Sequence, residues 1–139
     1  MKRLSEILLI DDDDIANHLH KLLIEDLGLA DHVEVAFDGE EAFEIIERKF
    51  KKGSYPQDIL LLLDINMPGM DAFEFLEMFR EKYKDAADHI HIALLSSSSN
   101  WRDVEKAKKF NVRNYLSKPL TEDKLFRLIE ELNLTESRA

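Results

Sequence analysis

Four consecutive aspartates follow a short apolar run near the start of the chain, in the stretch SEILLIDDDDI. Adjacent carboxylates repel one another, so Asp11 to Asp14 cost stability unless solvent, a helix N-terminus or a cation offsets their charge. Polar residues also end later apolar runs: Asp64 follows ILLLL, Ser96 begins a run of four serines after IALL, and Lys118 closely follows VRNYL. Taken alone, the four aspartates fit a solvated acidic turn as well as a site.

Carboxylate oxygens without cysteine or histidine beside them suit a hard cation, Mg²⁺ before any transition metal. One Mg²⁺ would relieve the repulsion among Asp11, Asp12 and Asp64, and could also hold a phosphate oxygen. Lys118 could give that phosphate a second positive contact, and Ser96 a hydrogen bond. In that arrangement Asp64 is a candidate nucleophile that accepts a phosphoryl group as an acyl phosphate, stabilised by the metal and the lysine.

Five apolar segments alternate with five helical patterns along the chain. Such alternation predicts a parallel sheet with helices on both faces, because each crossover must pass over a face of the sheet. The carboxyl ends of parallel strands lie at one rim, where ligands bind near the reversal of strand order. The polar residues described above should therefore converge. The segments predicted to be strands are residues 7–10, 33–35, 59–63, 92–95 and 112–116.

Helix ends can also be predicted from residue type. From Ile15 onward, apolar residues recur at a helical spacing that stops at Gly28, a plausible C-cap. Asp14 is predicted to be the N-cap of this first helix. Asp38 and Thr121 are predicted to cap the second and fifth helices. All five histidines are interpreted as structural.

Size and composition predict one globular domain over residues 1–139, with a core over about 5–134. The chain has 139 residues, 45% of them apolar, and no cysteine, which excludes disulfides and a thiolate nucleophile. The basic N-terminus precedes an apolar run that is too short for a signal peptide or a membrane span. We therefore expect a soluble, cytoplasmic protein that does not insert into membranes.

The net charge of −10 argues against direct binding to nucleic acid, which requires a basic face. One segment, residues 101–118, is locally basic. It is either a solvated surface or a contact for an acidic partner. Its basic residues are Arg102, Lys106, Lys108, Lys109, Arg113 and Lys118.

Four motifs in order resemble the receiver domain of two-component response regulators: ILLIDDDD, DINMPGMDAFEFL, LLSSS and YLSKPL. The resemblance extends from about residue 7 to 132. It implies a flavodoxin-like (βα)5 fold, with a five-stranded parallel sheet in the order 2-1-3-4-5. By position, Asp64 resembles the phospho-accepting aspartate, and Asp11 and Asp12 the acidic pair that places Mg²⁺. Asn66 matches the residue whose backbone carbonyl completes the metal shell.

The same resemblance extends to the switch residues. Ser96 matches the hydroxyl residue that follows the phosphoryl group, Lys118 the family's lysine, and Tyr115 the aromatic whose rotamer reports the state. It also implies a cis peptide bond between Lys118 and Pro119.

The resemblance implies a stand-alone switch rather than an enzyme in the usual sense. It would take a phosphoryl group from a histidine kinase or a histidine phosphotransfer protein and act by binding a downstream protein. One alternative is an interaction module of the same fold that works without phosphorylation. A less favoured alternative is an aspartyl-phosphate phosphatase, because such enzymes usually need a second aspartate where this chain has Asn66, and also a lid domain.

Overall fold

The computed structural model describes residues 4–50, 59–67, 69–83, 90–97, 101–110, 112 and 114–137. Strands and helices alternate along this part of the chain, as the sequence predicts. The elements are β1 (Leu4–Ile10), α1 (Asp14–Leu27), β2 (Ala30–Ala36), α2 (Gly39–Phe50), β3 (Ile59–Asp64), α3 (Ala72–Lys82), β4 (Ile90–Ser96), α4 (Trp101–Lys109), β5 (Asn114–Ser117) and α5 (Glu122–Ser137).

The five strands form one parallel sheet in the order β2-β1-β3-β4-β5. Strand order reverses between β1 and β3, since the chain first moves from β1 to one edge and then returns to β3. Every residue of β3 is buried, as expected for an apolar strand that is covered on both faces. This is the flavodoxin-like, doubly wound arrangement, and the predicted fold class and strand order are confirmed.

Two hydrophobic layers cover the sheet. Helices α2, α3 and α4 contribute to one layer, in which the rings of Phe43 and Phe75 stack with their centroids 4.6 Å apart. Helices α1 and α5 contribute to the other, through buried residues such as Ile24 and Leu125. Among the described residues, no helix is both long and apolar enough to span a membrane.

The cap of α1 differs from the prediction by one residue. Asp13, not Asp14, is the N-cap, because its backbone is extended and its Oδ1 accepts hydrogen bonds from the N–H groups of Ile15 and Ala16 at 3.0 and 3.2 Å. Asp14 is instead the first residue of the helix, where its negative charge favours the N-terminus. The predicted C-cap is correct, since Gly28 adopts a left-handed conformation with φ 64°.

The other predicted caps are also present. Asp38 Oδ1 accepts a hydrogen bond from the backbone N–H of Glu41 at 2.8 Å, and Thr121 Oγ1 accepts one from that of Lys124 at 3.3 Å. Strand bounds differ more: β1 begins three residues before the predicted strand, and β5 is shifted to Asn114–Ser117.

Helix α1 turns part of its apolar stripe to solvent. Ile15, Leu19 and Leu22 are 72%, 57% and 50% exposed. The buried residues of the same helix are two polar ones and a single isoleucine, Asn17, His20 and Ile24. The side of α1 that contacts the rest of the protein is therefore more polar than the hydrophobic spacing suggests.

Candidate functional site

The predicted acidic residues lie together at the carboxyl end of the sheet. Asp64 is the last residue of β3, and Asp11 directly follows β1; these strands are parallel neighbours, with Ile10 paired to Leu63. Carboxylate oxygens of Asp11, Asp12 and Asp64 all lie within 4.8 Å of one another. Asp11 and Asp64 are buried, whereas Asp12 is exposed.

This cluster fits a Mg²⁺ ion on the chemistry of its donors. All three side chains offer oxygen atoms, and their spacing is close to the roughly 4 Å that separates opposite oxygens around one such ion. The buried Oδ2 of Asp11 accepts no backbone hydrogen bond among the described residues, and its contact is the ammonium group of Lys118. The other carboxylate oxygen of Asp11, Oδ1, accepts a 3.0 Å hydrogen bond from the backbone N–H of Asp13. Asp11 therefore keeps one oxygen that could face a cation.

Lys118 brings a positive charge to these acids. Its Nζ lies 2.5 Å from Asp11 Oδ2 and 3.4 Å from Asp64 Oδ2. The Lys118 backbone N–H donates a 2.8 Å hydrogen bond to the carbonyl of Ser96, which fixes the lysine beside the end of β4. The Lys118–Pro119 peptide bond is cis, as the resemblance implies.

The electrostatics of the site are those of a crowded, partly desolvated charge cluster. Burial, and then the negative charge of Asp11, raises the pKa of Asp64 to about 6, although Lys118 acts in the opposite direction. Burial disfavours the charged form of Lys118, but its hydrogen bond with Asp11 and the charge of Asp64 outweigh this and raise its pKa. The ionised form of Asp64 is therefore destabilised in the folded protein, and a bound cation would stabilise it.

The remaining predicted residues border the same rim. Ser96, the last residue of β4, is fully buried, and its strand pairs with β3 and β5. Asn66 is exposed, and its backbone N–H donates a 3.4 Å hydrogen bond to Asp64 Oδ1. Tyr115 is half-buried in β5 against the layer formed with α2, α3 and α4. The metal-ligand role of the Asn66 carbonyl and the switch role of Tyr115 stay predictions.

Two buried polar residues of α1 that the sequence analysis did not assign to the site support it. Asn17 Nδ2 donates hydrogen bonds to the backbone carbonyls of Asp11, at 2.7 Å, and Ala36, at 3.4 Å. His20 Nε2 accepts a 3.3 Å hydrogen bond from the backbone N–H of Leu120. A signal was present in the sequence, because the two polar residues are three apart and thus share one face of the helix.

The predicted basic segment is divided between two places. Lys118 faces the acids, so it does not belong to an outer basic surface. On α4, Lys108 pairs with Glu105 at 3.3 Å, and Trp101 is 68% exposed with the Arg102 guanidinium 5.6 Å from its ring centroid. Arg113 lies outside the described residues. The exposed basic residues of α4 are Arg102, Lys106, Lys108 and Lys109.

Comparisons with known proteins agree with this geometry. The family model of the response regulator receiver domain matches residues 7–130. An uncharacterised 14.6 kDa protein of Leptolyngbya boryana is 31% identical over 91% of this chain and 88% of its own length. Hybrid signal transduction histidine kinase B of Dictyostelium discoideum is 30% identical over 94% of this chain, which spans only 7% of that protein.

Solved structures give the same result. A two-component response regulator from Cytophaga hutchinsonii has a TM-score of 0.85 and 32% sequence identity, and the match covers 95% of this chain and 99% of that one. Three observations indicate the same family: the family match, the strand order, and the cluster of acids and lysine at the carboxyl rim. The chain belongs to the response regulator receiver domain family.

Proposed function

We propose that this chain is a signalling switch that accepts a phosphoryl group on Asp64 from a phosphohistidine of a histidine kinase or a phosphotransfer protein. The observation that carries the proposal is the convergence of three carboxylates and one ammonium group where strand order reverses. Lys118 Nζ lies 3.4 Å from Asp64 Oδ2, close enough to contact a group attached to that oxygen. The family to which the chain belongs supports the same role.

The chemical step uses the Asp64 carboxylate as nucleophile. One of its oxygens attacks phosphorus, the phosphorus–nitrogen bond to the donor histidine breaks, and the electron pair of that bond returns to the imidazole. Asp64 becomes an acyl phosphate. Lys118 then donates to a phosphoryl oxygen. Ser96 ends β4, the strand beside β3, and we expect its hydroxyl to donate to the phosphoryl group as well.

Asp11, Asp12, Asp64 and the backbone carbonyl of Asn66 would hold Mg²⁺. When bound, the ion supplies positive charge that stabilises the transferring phosphoryl group. The site favours this positive charge, because burial and the neighbouring Asp11 raise the pKa of Asp64 and so destabilise its ionised form. Without the ion, Lys118 offsets part of the negative charge of the site through its ion pair with Asp11.

The output is proposed to be a change in a protein-binding face. The backbone N–H of Lys118 donates a 2.8 Å hydrogen bond to the carbonyl of Ser96. A movement of Ser96 toward the phosphoryl group would therefore shift both the end of β4 and the segment after β5. Tyr115 lies on β5, which pairs with β4, and packs against the hydrophobic layer to which α4 contributes. Phosphorylation would thereby bias the surface of α4, β5 and α5 toward or away from a downstream protein.

The exposed apolar residues of α1 support a protein as the phosphoryl donor. Ile15 and Leu19 are exposed and lie in the first two turns of α1. They follow the acidic residues closely in sequence, because Asp13 is the N-cap of this helix. A donor that brings a phosphohistidine to Asp64 must cover this rim, and it would bury these side chains. The cytoplasmic location and the stand-alone organisation expected from the sequence remain predictions.

The experiment is intact mass measurement after incubation with Mg²⁺ and phosphoramidate, whose phosphorus–nitrogen bond resembles that of phosphohistidine. We expect one labile phosphoryl adduct on the wild-type protein, which is absent with EDTA and absent in Asp64→Asn. Asp26→Asn, at an exposed aspartate on α1, is the matched control and should still form the adduct.

The other candidate functions give different outcomes. A folded wild-type protein that forms no adduct would contradict the proposal and favour an interaction module that works without phosphorylation. Rapid turnover of phosphate with no accumulating adduct would favour a phosphatase. Asn66 argues against the phosphatase, because its amide cannot act as the second acid or base that such enzymes use.

A further inference from the structure

His20 is the one buried histidine among the described residues, and the proposed phosphoryl transfer does not use it. It is 5% exposed and projects from α1 toward the segment that follows β5. An apolar residue would fill such a position with less desolvation cost. The presence of an imidazole therefore indicates that its hydrogen bond matters.

The hydrogen bond connects α1 to the backbone near the lysine. His20 Nε2 accepts from the N–H of Leu120 at 3.3 Å, and Leu120 is itself buried. Leu120 stands two residues after Lys118, across Pro119, which has no N–H of its own. The carbonyl of Ser96 holds the other side of Lys118. The lysine backbone is thus fixed from β4 on one side and from α1 on the other.

The protonation state of His20 agrees with this role. An acceptor at Nε2 requires the neutral imidazole with its proton on Nδ1. Burial lowers the pKa of His20, and this outweighs the opposing influence of Asp11. The imidazole is therefore neutral near neutral pH and able to accept.

We propose that His20 is a positioning residue: by holding the backbone N–H of Leu120, it fixes where Lys118 presents its ammonium group to the phosphoryl group on Asp64. This inference rests on the proposed function. Without the acceptor, the buried N–H of Leu120 would lack a partner, and the segment would shift to find one. Lys118 would move with it.

The second support of this segment shows why the loss would be local. Lys124 of α5 donates hydrogen bonds to the carbonyls of Ser117 and Pro119 at 2.9 and 3.0 Å. These bonds remain when His20 is replaced, so the segment stays attached to the protein. The expected result is a displaced lysine on an intact fold.

The test compares His20→Leu with wild type and with His18→Leu, a matched control at an exposed histidine of the same helix. The rate of phosphorylation by phosphoramidate at saturating Mg²⁺ is followed by intact mass, and Mg²⁺ affinity by calorimetry. We expect His20→Leu to react about 10-fold more slowly, because small displacements of a catalytic group have large effects on rate. Its Mg²⁺ affinity should be retained or increased, since Lys118 competes for Asp11. His18→Leu should match wild type.

Two results would overturn the inference alone: a wild-type rate in His20→Leu, or a parallel loss of rate and Mg²⁺ affinity, which indicates general damage to the site. If wild type itself forms no adduct, both the proposed function and this inference fail. If His20→Leu does not fold, His20→Gln and His20→Asn decide. The glutamine oxygen reaches the place of Nε2 and the asparagine oxygen does not, so glutamine should react faster, and equal rates would refute the role.

Discussion

Replacing Asp64 by asparagine is predicted to stabilise the metal-free protein. The Asp64 side chain is only 7% exposed, and burial together with the charge of Asp11 raises its pKa from 3.8 to about 6. Because one pKa unit corresponds to about 1.4 kcal/mol, ionised Asp64 costs the folded state up to about 3 kcal/mol. Asparagine keeps the shape of the side chain and removes the charge, so the variant should recover part of this free energy.

The effect has a definite pH dependence. Between about pH 4 and pH 6 the folded protein keeps on Asp64 a proton that the unfolded chain has released. The free energy of unfolding contributed by this group therefore falls as pH rises through this window, and the full cost is present above about pH 6. The advantage of Asp64→Asn over wild type should be largest near neutral pH and should disappear toward pH 4.

The assay is urea unfolding followed by circular dichroism, in EDTA, at about pH 7.5 and about pH 4.5. Asp26→Asn removes an equal charge from an exposed position on α1, and should change the free energy of unfolding by less than about 0.5 kcal/mol. Added Mg²⁺ should stabilise wild type more than Asp64→Asn. A variant no more stable than wild type at the higher pH, or equally stabilised at both, would refute the reasoning.

Three further substitutions test the fold. Phe75→Ala removes a fully buried ring that stacks on Phe43, and should lower the free energy of unfolding in urea by about 3–5 kcal/mol; a loss below about 1 kcal/mol would contradict the packing. Gly28→Ala forces a side chain into the left-handed region and should cost about 1–2 kcal/mol, seen as a lower melting temperature. Lys49→Met leaves the buried Glu6 carboxylate without its ion pair and should cost about 3 kcal/mol in urea unfolding, which Glu6→Gln in the same chain should restore.

The fold and the centre of the site could be predicted because both depend on strong sequence signals. Apolar runs such as ILLLL mark strands buried on both faces, and their alternation with helices requires a parallel sheet. Once the sheet is parallel, polar residues at strand ends must share a rim. The sequence alone therefore predicts that Asp11, Asp64 and Lys118 lie together.

Other features depend on differences too small for sequence reasoning. Asp13 and Asp14 are identical neighbours, and only the backbone conformation decides which one caps the helix. The inward side of α1 was missed because Asn17 and His20 are polar, while the apolar Leu19 faces solvent. Their burial is favourable only because backbone groups outside α1 satisfy their hydrogen bonds, that of Asp11 for Asn17 and that of Leu120 for His20. The three-residue spacing of Asn17 and His20 places them on one face of the helix, but it does not identify the backbone groups that they contact.

The exposed indole at the start of α4 gives the protein a built-in optical reporter. Trp101 is the only tryptophan, and the guanidinium group of Arg102 lies 5.6 Å from its ring centroid on a chain of net charge −10. Collisional quenchers sense local rather than total charge, because salt screens distant charges within about 10 Å. When the quenching by each ion is divided by its quenching of free tryptophan, the ratio should therefore be higher for iodide than for caesium, the opposite of what the net charge would suggest. Any partner that covers α4 would protect the indole from both ions, so its binding could be followed without a label.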